Sequence, residues 1–252
     1  MSPLVSVIMP AYNSERYITD AIESVVQQTY TNWELIVIDD GSSDDTVRRI
    51  EEQAAKDLRI RFYKNEKNIG VSETRNKAIS LANGEWIAFL DSDDIWEPLK
   101  IEKQMRSASD NNYYFLFTGS AFIAENGERL SWIMPVPHKV SYKMLLKQNV
   151  ISCSSVLIKK ELIYEIGMHN DNTHEDFALW LKTLKKGIEA YGVNEPLLIY
   201  RLSNKSKSGN KLKSIAMSYR TYRSIGLSVF ASVYYLFFLI INGIQKYLRL
   251  YC

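Results

Sequence analysis

Trp86-Ile87-Ala88-Phe89-Leu90-Asp91-Ser92-Asp93-Asp94 runs from an apolar segment straight into three carboxylates within four residues. The first five residues read as a buried strand. Carboxylates this close repel one another unless a cation or hydrogen-bond donors gather them. In an open α/β sheet the ligand crevice lies at the carboxyl ends of the strands, which is where these acids fall. Two readings follow. In one, the acids hold a divalent metal and part of a nucleotide. In the other they begin a helix, with Asp94 or Glu97 stabilising its first turn and Pro98 at its first position.

The sequence before this stretch repeats its logic. Leu4 to Met9 is a β-branched strand that stops at Pro10, and Ser14 is placed to cap the helix that follows. Ile18, Ala21, Ile22, Val25 and Val26 share one face of that helix. Glu34 to Ile38 is a second strand, and it too ends in acids, Asp39-Asp40-Gly41-Ser42-Ser43-Asp44. A helical stretch with Val47, Ile50 and Ala54 in register leads to a third strand at Ile60 to Tyr63. A helix from Val71 to Ala82, stopped by Asn83-Gly84, precedes the fourth. Strands alternating with helices over short links imply a doubly wound, mostly parallel α/β sheet flanked by helices.

Beyond Asp94 the pattern is mixed. Asn126-Gly127 marks a hairpin between Phe122–Glu125 and Glu128–Ser131. Further strands are expected at Ser154–Lys159, Ile188–Val193 and Leu197–Tyr200, with helices at Glu161–Ile166 and Glu175–Lys186. No linker composition divides this half from the first, so it is expected to extend the same sheet. The two cysteines, Cys153 and Cys252, make neither a disulfide framework nor a zinc constellation and fit a reducing compartment. Strand-like sequence by Leu4 leaves no room for a signal peptide. The first 200 residues hold 22 basic and 29 acidic groups, a net of −7, whereas Arg201 to the end holds nine basic groups and no acid. A purely basic tail on an acidic body is expected to meet something anionic.

The ordered set of motifs resembles the family 2 glycosyltransferases, inverting enzymes of the nucleotide-sugar-binding GT-A fold. Val5 to Asn13, Ile38 to Asp44, Asn68-Ile69-Gly70 with Arg75-Asn76, Asp91 to Asp94, and Glu175-Asp176-Phe177 carry the resemblance over about residues 4 to 201. It implies a GT-A domain over 1–202 that transfers a hexosyl or N-acetylhexosaminyl group from a nucleotide-sugar donor, a UDP-sugar, to a glycan hydroxyl. The acceptor it suggests is lipid-linked, as in polysaccharide, O-antigen or capsule synthesis. It further implies Mn²⁺ or Mg²⁺ held by Asp93, with Asp91 touching ribose or the metal shell. By the same resemblance Asp40 reads a base edge, Tyr12 offers a face for the base, the turn around Pro10 offers backbone groups, Arg75 pairs with the diphosphate or donor groups, and Asp176 is the catalytic base. Asp39 is left either as a turn cap or as a ligand contact, and Glu175 as an acceptor or loop support. One departure stands out. The family often follows Tyr-Arg with a His two residues later, and Tyr200-Arg201-Leu202-Ser203 lacks it. Arg201, Lys205 or Lys207 could compensate, with Ser206 and Ser208 beyond, in a basic loop that either closes over the donor or stays solvated.

The tail, 203–252, lies outside these motifs. It carries 22 uncharged residues between Arg223 and Lys246, rich in Phe, Tyr, Leu and Ile. Such a segment can lie in an anionic membrane interface, span a bilayer, or pack as core. The first implies a cytoplasmic protein, peripheral on the inner face of the cell membrane. Nucleic acid is not an expected partner, because the basic residues sit beside an apolar run. A pyrophosphorylase or a dehydrogenase would need a glycine-rich loop after the first strand, where Pro10-Ala11-Tyr12-Asn13-Ser14-Glu15 stands instead. A non-catalytic glycan- or nucleotide-binding scaffold with a degenerate site is the remaining alternative.

Overall fold

Every residue of Val5–Ala11 (β1) and of Trp33–Asp39 (β2) is buried, the condition of strands covered on both faces. The computed structural model describes residues 2–169, 172–202 and 211–251. In chain order β1 is followed by Ile18–Val26 (α1), β2, Thr46–Ala54 (α2), Ile60–Lys64 (β3), Val71–Leu81 (α3) and Trp86–Phe89 (β4). Ile95–Trp96 (β5), Lys100–Asn111 (α4), Phe115–Ile123 (β6), Arg129–Met134 (β7), Lys139–Val140 (β8) and Tyr142–Lys147 (α5) come next. Leu157–Lys159 (β9), Glu175–Lys185 (α6), Ala190–Arg201 (β10), Lys211–Ser224 (α7) and Val229–Tyr251 (α8) complete the chain.

One sheet takes the order β3-β2-β1-β4-β9-β6-β10-β5, with β7 on β6 and β8 on β10. The strands β3, β2, β1 and β4 are parallel. The strand β9 is antiparallel to both β4 and β6, and β10 returns parallel to β6. The chain thus leaves β1 toward β2 and β3 on one side and toward β4 on the other. The C-terminal ends of β2 and β4 flank that of β1, which brings the two acidic stretches to one edge. A core on one face gathers residues of α3, α5, α6 and α7, and a core on the other gathers residues of α1 and α4.

The second half does extend the first sheet, as expected, but several local expectations are corrected. The first strand continues through Pro10 to Ala11. Ser14 does not cap α1, because its hydroxyl turns to the Tyr12 carbonyl and to Ser92 Oγ at 2.7 Å. Pro98 precedes α4 instead of opening it. The two late strands are one, β10, with register shifts between Val193 and Leu198 that absorb Pro196. Gly84 is not a left-handed helix stop. A Cβ there would stand 2.6 Å from the Leu4 carbonyl and 2.7 Å from Ser6 Oγ, so close backbone approach is what demands glycine. The basic loop expected at 203–214 ends in α7 from Lys211, and its remainder, with Lys205, Ser206, Lys207 and Ser208, lies outside the described residues.

The C-terminal helices pack on the core of the sheet and α6. Tyr222 is fully buried, its ring edge-on to Phe177 at 5.9 Å and its hydroxyl donating to the Leu146 carbonyl at 2.7 Å. Tyr235, Leu236 and Leu239 of α8 pack on the same core. Among the described residues no helix is long and apolar enough to cross a membrane.

Glu34 ties three strands to the end of α3. Its carboxylate accepts from Ser6 Oγ, the Asn83 N–H and Arg61 Nη1, all at 2.6 Å, and from Asn83 Nδ2 at 3.0 Å. Burial pushes its pKa up, but these donors outweigh burial and hold it below the usual 4.5. Its stabilisation is therefore fully present above pH 4.5 and lost as pH falls through the lower folded value. Glu34→Ala should lower the unfolding free energy at pH 7 by about 2 kcal/mol, less than a fully buried pair because Arg61 keeps some solvent. Urea unfolding should show that difference shrinking below pH 4.5. A difference that stays constant to pH 3 would contradict the ionic account.

Candidate active site

The turns after β1 and β2 are laced together. The Asn13 N–H donates to Ser42 Oγ, and the Ser43 N–H donates to Asn13 Oδ1, both at 2.9 Å, with Asn13 at a left-handed φ of 48°. Tyr12 stands out beside this turn, 51% exposed, while Pro10 is buried in β1. Asp39 is fully buried and accepts from the N–H groups of Gly41 and Ser42, which is the turn-cap alternative. Asp40, also buried, accepts from the N–H groups of Ile69 and Gly70 and from Asn65 Nδ2, each at 2.9 Å. It thereby fixes the loop that leads into α3. Gly70 sits there at a φ of 91°, a conformation that favours glycine.

The acids after β4 have three different environments. Asp91 is a third exposed; it accepts from Arg75 Nη2 at 2.5 Å, and its N–H donates to Ser154 Oγ at 3.1 Å. Asp93 is half-buried, and burial, then the charge of Asp91, pushes its carboxyl up to about 6. Asp94 is almost fully buried and accepts from the Arg201 N–H at 3.0 Å. Burial and the charges of Asp93 and Asp91 raise its carboxyl well above the ordinary range. Arg201 closes the arrangement: its Nε donates to the Asp93 carbonyl at 2.9 Å and its guanidinium lies 4.2 Å from the centre of the Tyr17 ring. Arg201 therefore fastens the end of β10 to the acidic turn.

Opposite stands the first turn of α6. Glu175 is buried and accepts from Arg75 Nη1 at 3.0 Å. Arg75 is itself 3% exposed, so the fork expected on a diphosphate joins two carboxylates. Asp176 is half-buried; burial and then Glu175 raise its pKa, with Arg75 and His174 opposing. His174, at the start of α6, anchors it to α7: its N–H donates to Thr221 Oγ1 at 3.0 Å and its ring Nε2 lies 3.2 Å from the Ser214 carbonyl.

The edge of the sheet thus carries the acids of β2 and β4, and Arg75 bridges the β4 acids to the start of α6. Among the described residues no three His, Cys, Asp or Glu groups close into a cage for a metal ion. The carboxylates of Asp91 and Asp93 are nevertheless hard oxygen donors, and the charge of Asp91, which adds to burial in raising Asp93, is what a divalent cation would offset. By the chemistry of their oxygens these two residues fit such an ion. Sequence reasoning missed Ser154, the Asp94–Arg201 contact and the Arg75–Glu175 pair. Their sequence separations are 63, 107 and 100 residues. The third acid of the turn was a visible signal for Asp94; nothing local marked its partner.

The family model for Glycosyl transferase family 2 matches residues 6–167. A putative teichuronic acid biosynthesis glycosyltransferase, TuaG of Bacillus subtilis (strain 168), is 42% identical over 88% of both chains. The Escherichia coli UDP-Glc:alpha-D-GlcNAc-diphosphoundecaprenol beta-1,3-glucosyltransferase WfgD is 38% identical over 97% of this chain and 95% of its own. Among solved structures, S. aureus TarS 1-349 in complex with UDP-GlcNAc superposes with a TM-score of 0.71 at 21% identity, covering 92% of this chain and 70% of that one. The mannosyltransferase PcManGT from Pyrobaculum calidifontis, in complex with GDP-Man and Mn2+, gives 0.72 at 16% identity over 94% and 70%. The α/β sheet described above is of the GT-A type these structures share, and the chain belongs to glycosyl transferase family 2.

Proposed function

We propose that this glycosyltransferase moves a sugar, with inversion, from a UDP-sugar to a hydroxyl of a lipid-linked glycan. One observation carries the reading: the acids at the end of β4 and the acid-bearing first turn of α6 are joined through a single buried arginine. The acids suited to leaving-group chemistry and to proton removal therefore stand close enough to serve one bound sugar. The donor class is supported by the name of WfgD, which uses UDP-Glc, and the acceptor class by the same name, a sugar on diphosphoundecaprenol.

In the proposed reaction the acceptor oxygen attacks the anomeric carbon while Asp176 takes its proton. The bond from that carbon to the diphosphate oxygen breaks, and the nucleoside diphosphate leaves with the electron pair. Bound Mn²⁺ or Mg²⁺, held by Asp93 with Asp91 in its shell, would neutralise the charge on the departing group. Tyr12 offers its exposed ring to the base, beside Pro10 in the strand end. Asp40 serves first by fixing the 65–70 loop, with the edge of its carboxylate as the acceptor for a base N–H. Its raised pKa makes Asp176 a stronger base than an ordinary carboxylate.

The membrane face is the outer side of α8. Phe230, Val233, Tyr234, Phe237, Ile241 and Ile244 are exposed, Phe230 by 89%, while Tyr235, Leu236 and Leu239 face the core. Exposed apolar and aromatic groups at this helical spacing, on a segment with basic residues and no acid, suit an anionic lipid surface.

Three outcomes test the reading. UDP release from a UDP-sugar panel, with a lipid-diphosphate-sugar acceptor, should require divalent metal. It should fall roughly 1,000-fold in Asp176→Asn and at least about 100-fold in Asp93→Ala; undiminished turnover in Asp176→Asn would remove it as base. Because protons compete for a carboxylate that titrates at about 6, Mn²⁺ affinity measured by calorimetry should weaken as pH falls through that value. An affinity unchanged from pH 7 to pH 5 would contradict Asp93 as ligand. The chain should sediment with phosphatidylglycerol vesicles and not with phosphatidylcholine vesicles, and Phe230→Glu with Phe237→Glu should release it. A concentration-dependent dimer abolished by the same changes, without vesicle binding, would assign the face to a second copy.

A further inference from the structure

Arg75 bonds both halves of the site. Its Nη2 meets Asp91 at 2.5 Å and its Nη1 meets Glu175 at 3.0 Å. The arginine is 3% exposed, and its Nε is buried without a hydrogen-bond partner. The orientation of the guanidinium is thus set by two carboxylates that lie 84 residues apart in sequence, one after β4 and one in the first turn of α6. Glu175 adjoins Asp176, and α6 is otherwise tethered at its start by His174 to α7.

We infer that Arg75 is a positioning residue that couples ligand occupancy at Asp91 to the order of the helix start carrying Asp176. The physical argument is a competition of charges. When a cation or nucleotide group engages Asp91, that carboxylate attracts Arg75 less. Among the described residues the guanidinium is hydrogen-bonded to Asp91 and Glu175, so its weight then shifts to Glu175 and firms the first turn of α6. Filling the donor side in this way readies the acceptor side. The coupling runs through one contiguous chain of contacts, and linkage makes it reciprocal, so a change at Glu175 must alter binding at Asp91. Lysine could not substitute, because a point charge cannot hold two carboxylates in the fixed geometry of a fork.

The inference rests on the donor reading above, and its test separates the two. Hydrogen exchange of the amides at 175–182 is followed in the full chain with no ligand, with Mn²⁺ alone, and with Mn²⁺ plus UDP. Exchange should slow on ligand addition in the wild type. The slowing should vanish in Glu175→Gln and in Arg75→Lys. Calorimetry on Glu175→Gln should show Mn²⁺–UDP affinity altered by about fivefold or more, although Glu175 lies on the acceptor side. Glu175→Gln keeps the Arg75–Asp91 pair, and thermal unfolding checks that it is folded before its exchange is read. Protection of 175–182 that survives in Glu175→Gln, or that never arises in the wild type with bound ligand, would overturn the coupling. Slowing with Mn²⁺ but no binding of UDP would support the coupling and refute the donor.

Discussion

Five carboxylates, those of Asp91, Asp93, Asp94, Glu175 and Asp176, surround one edge of this sheet, and two arginines are buried among them. Gathering like charges in a medium of low dielectric costs free energy unless cations share the space. Arg75 neutralises Asp91 and Glu175, while Arg201 secures Asp94 and the backbone of Asp93. Burial first, and then the charge of a neighbouring carboxylate, Asp91 for Asp93 and Glu175 for Asp176, pushes Asp93 up to about 6 and raises Asp176 with it. Five carboxylates against two arginines leave an excess of negative charge, which a divalent ion arriving with a nucleoside diphosphate would offset.

The fold supplies the edge on which this balance is struck. Parallel pairing of β1 with both β2 and β4 aligns three strand ends, so that apolar runs deliver polar turns to one line. Antiparallel β9 pairs with both β4 and β6 and so joins the two halves of the sheet, and β10 ends at Arg201 against the β4 turn. On the opposite face, α7 and the inner side of α8 cover α6 and its neighbours. The helix that carries Asp176 is consequently held by core packing at its back and by ion pairing at its tip. The same arrangement leaves the outer side of α8 apolar and exposed.

Legibility in the sequence follows the range of the interactions. The strands and helices of the first 90 residues could be read because their period and their stops are local; β1, β2, α3 and β4 fall within a few residues of expectation. The acids Asp40, Asp91, Asp93 and Asp176 were visible because strand ends and an ordered set of motifs mark them. What was not visible is whom they touch. Asp40 holds a loop through backbone N–H groups 29 and 30 residues away, and Arg75 turns to Asp91 and Glu175. Ser14, a good cap by type, was drawn off by Ser92 across 78 residues. Propensity gives no hint of such partners, since they exist only once the sheet has formed.

The central claim is that the β4 turn receives a divalent ion together with the nucleotide diphosphate. Diffraction from crystals soaked in MnCl₂ and UDP, recorded at the manganese edge, tests it most directly. The account predicts one anomalous peak coordinated by Asp93, with Asp91 in its shell and diphosphate oxygens completing it. UDP bound at the ends of β1 and β2 with no manganese at Asp93, or manganese bound elsewhere, would contradict it.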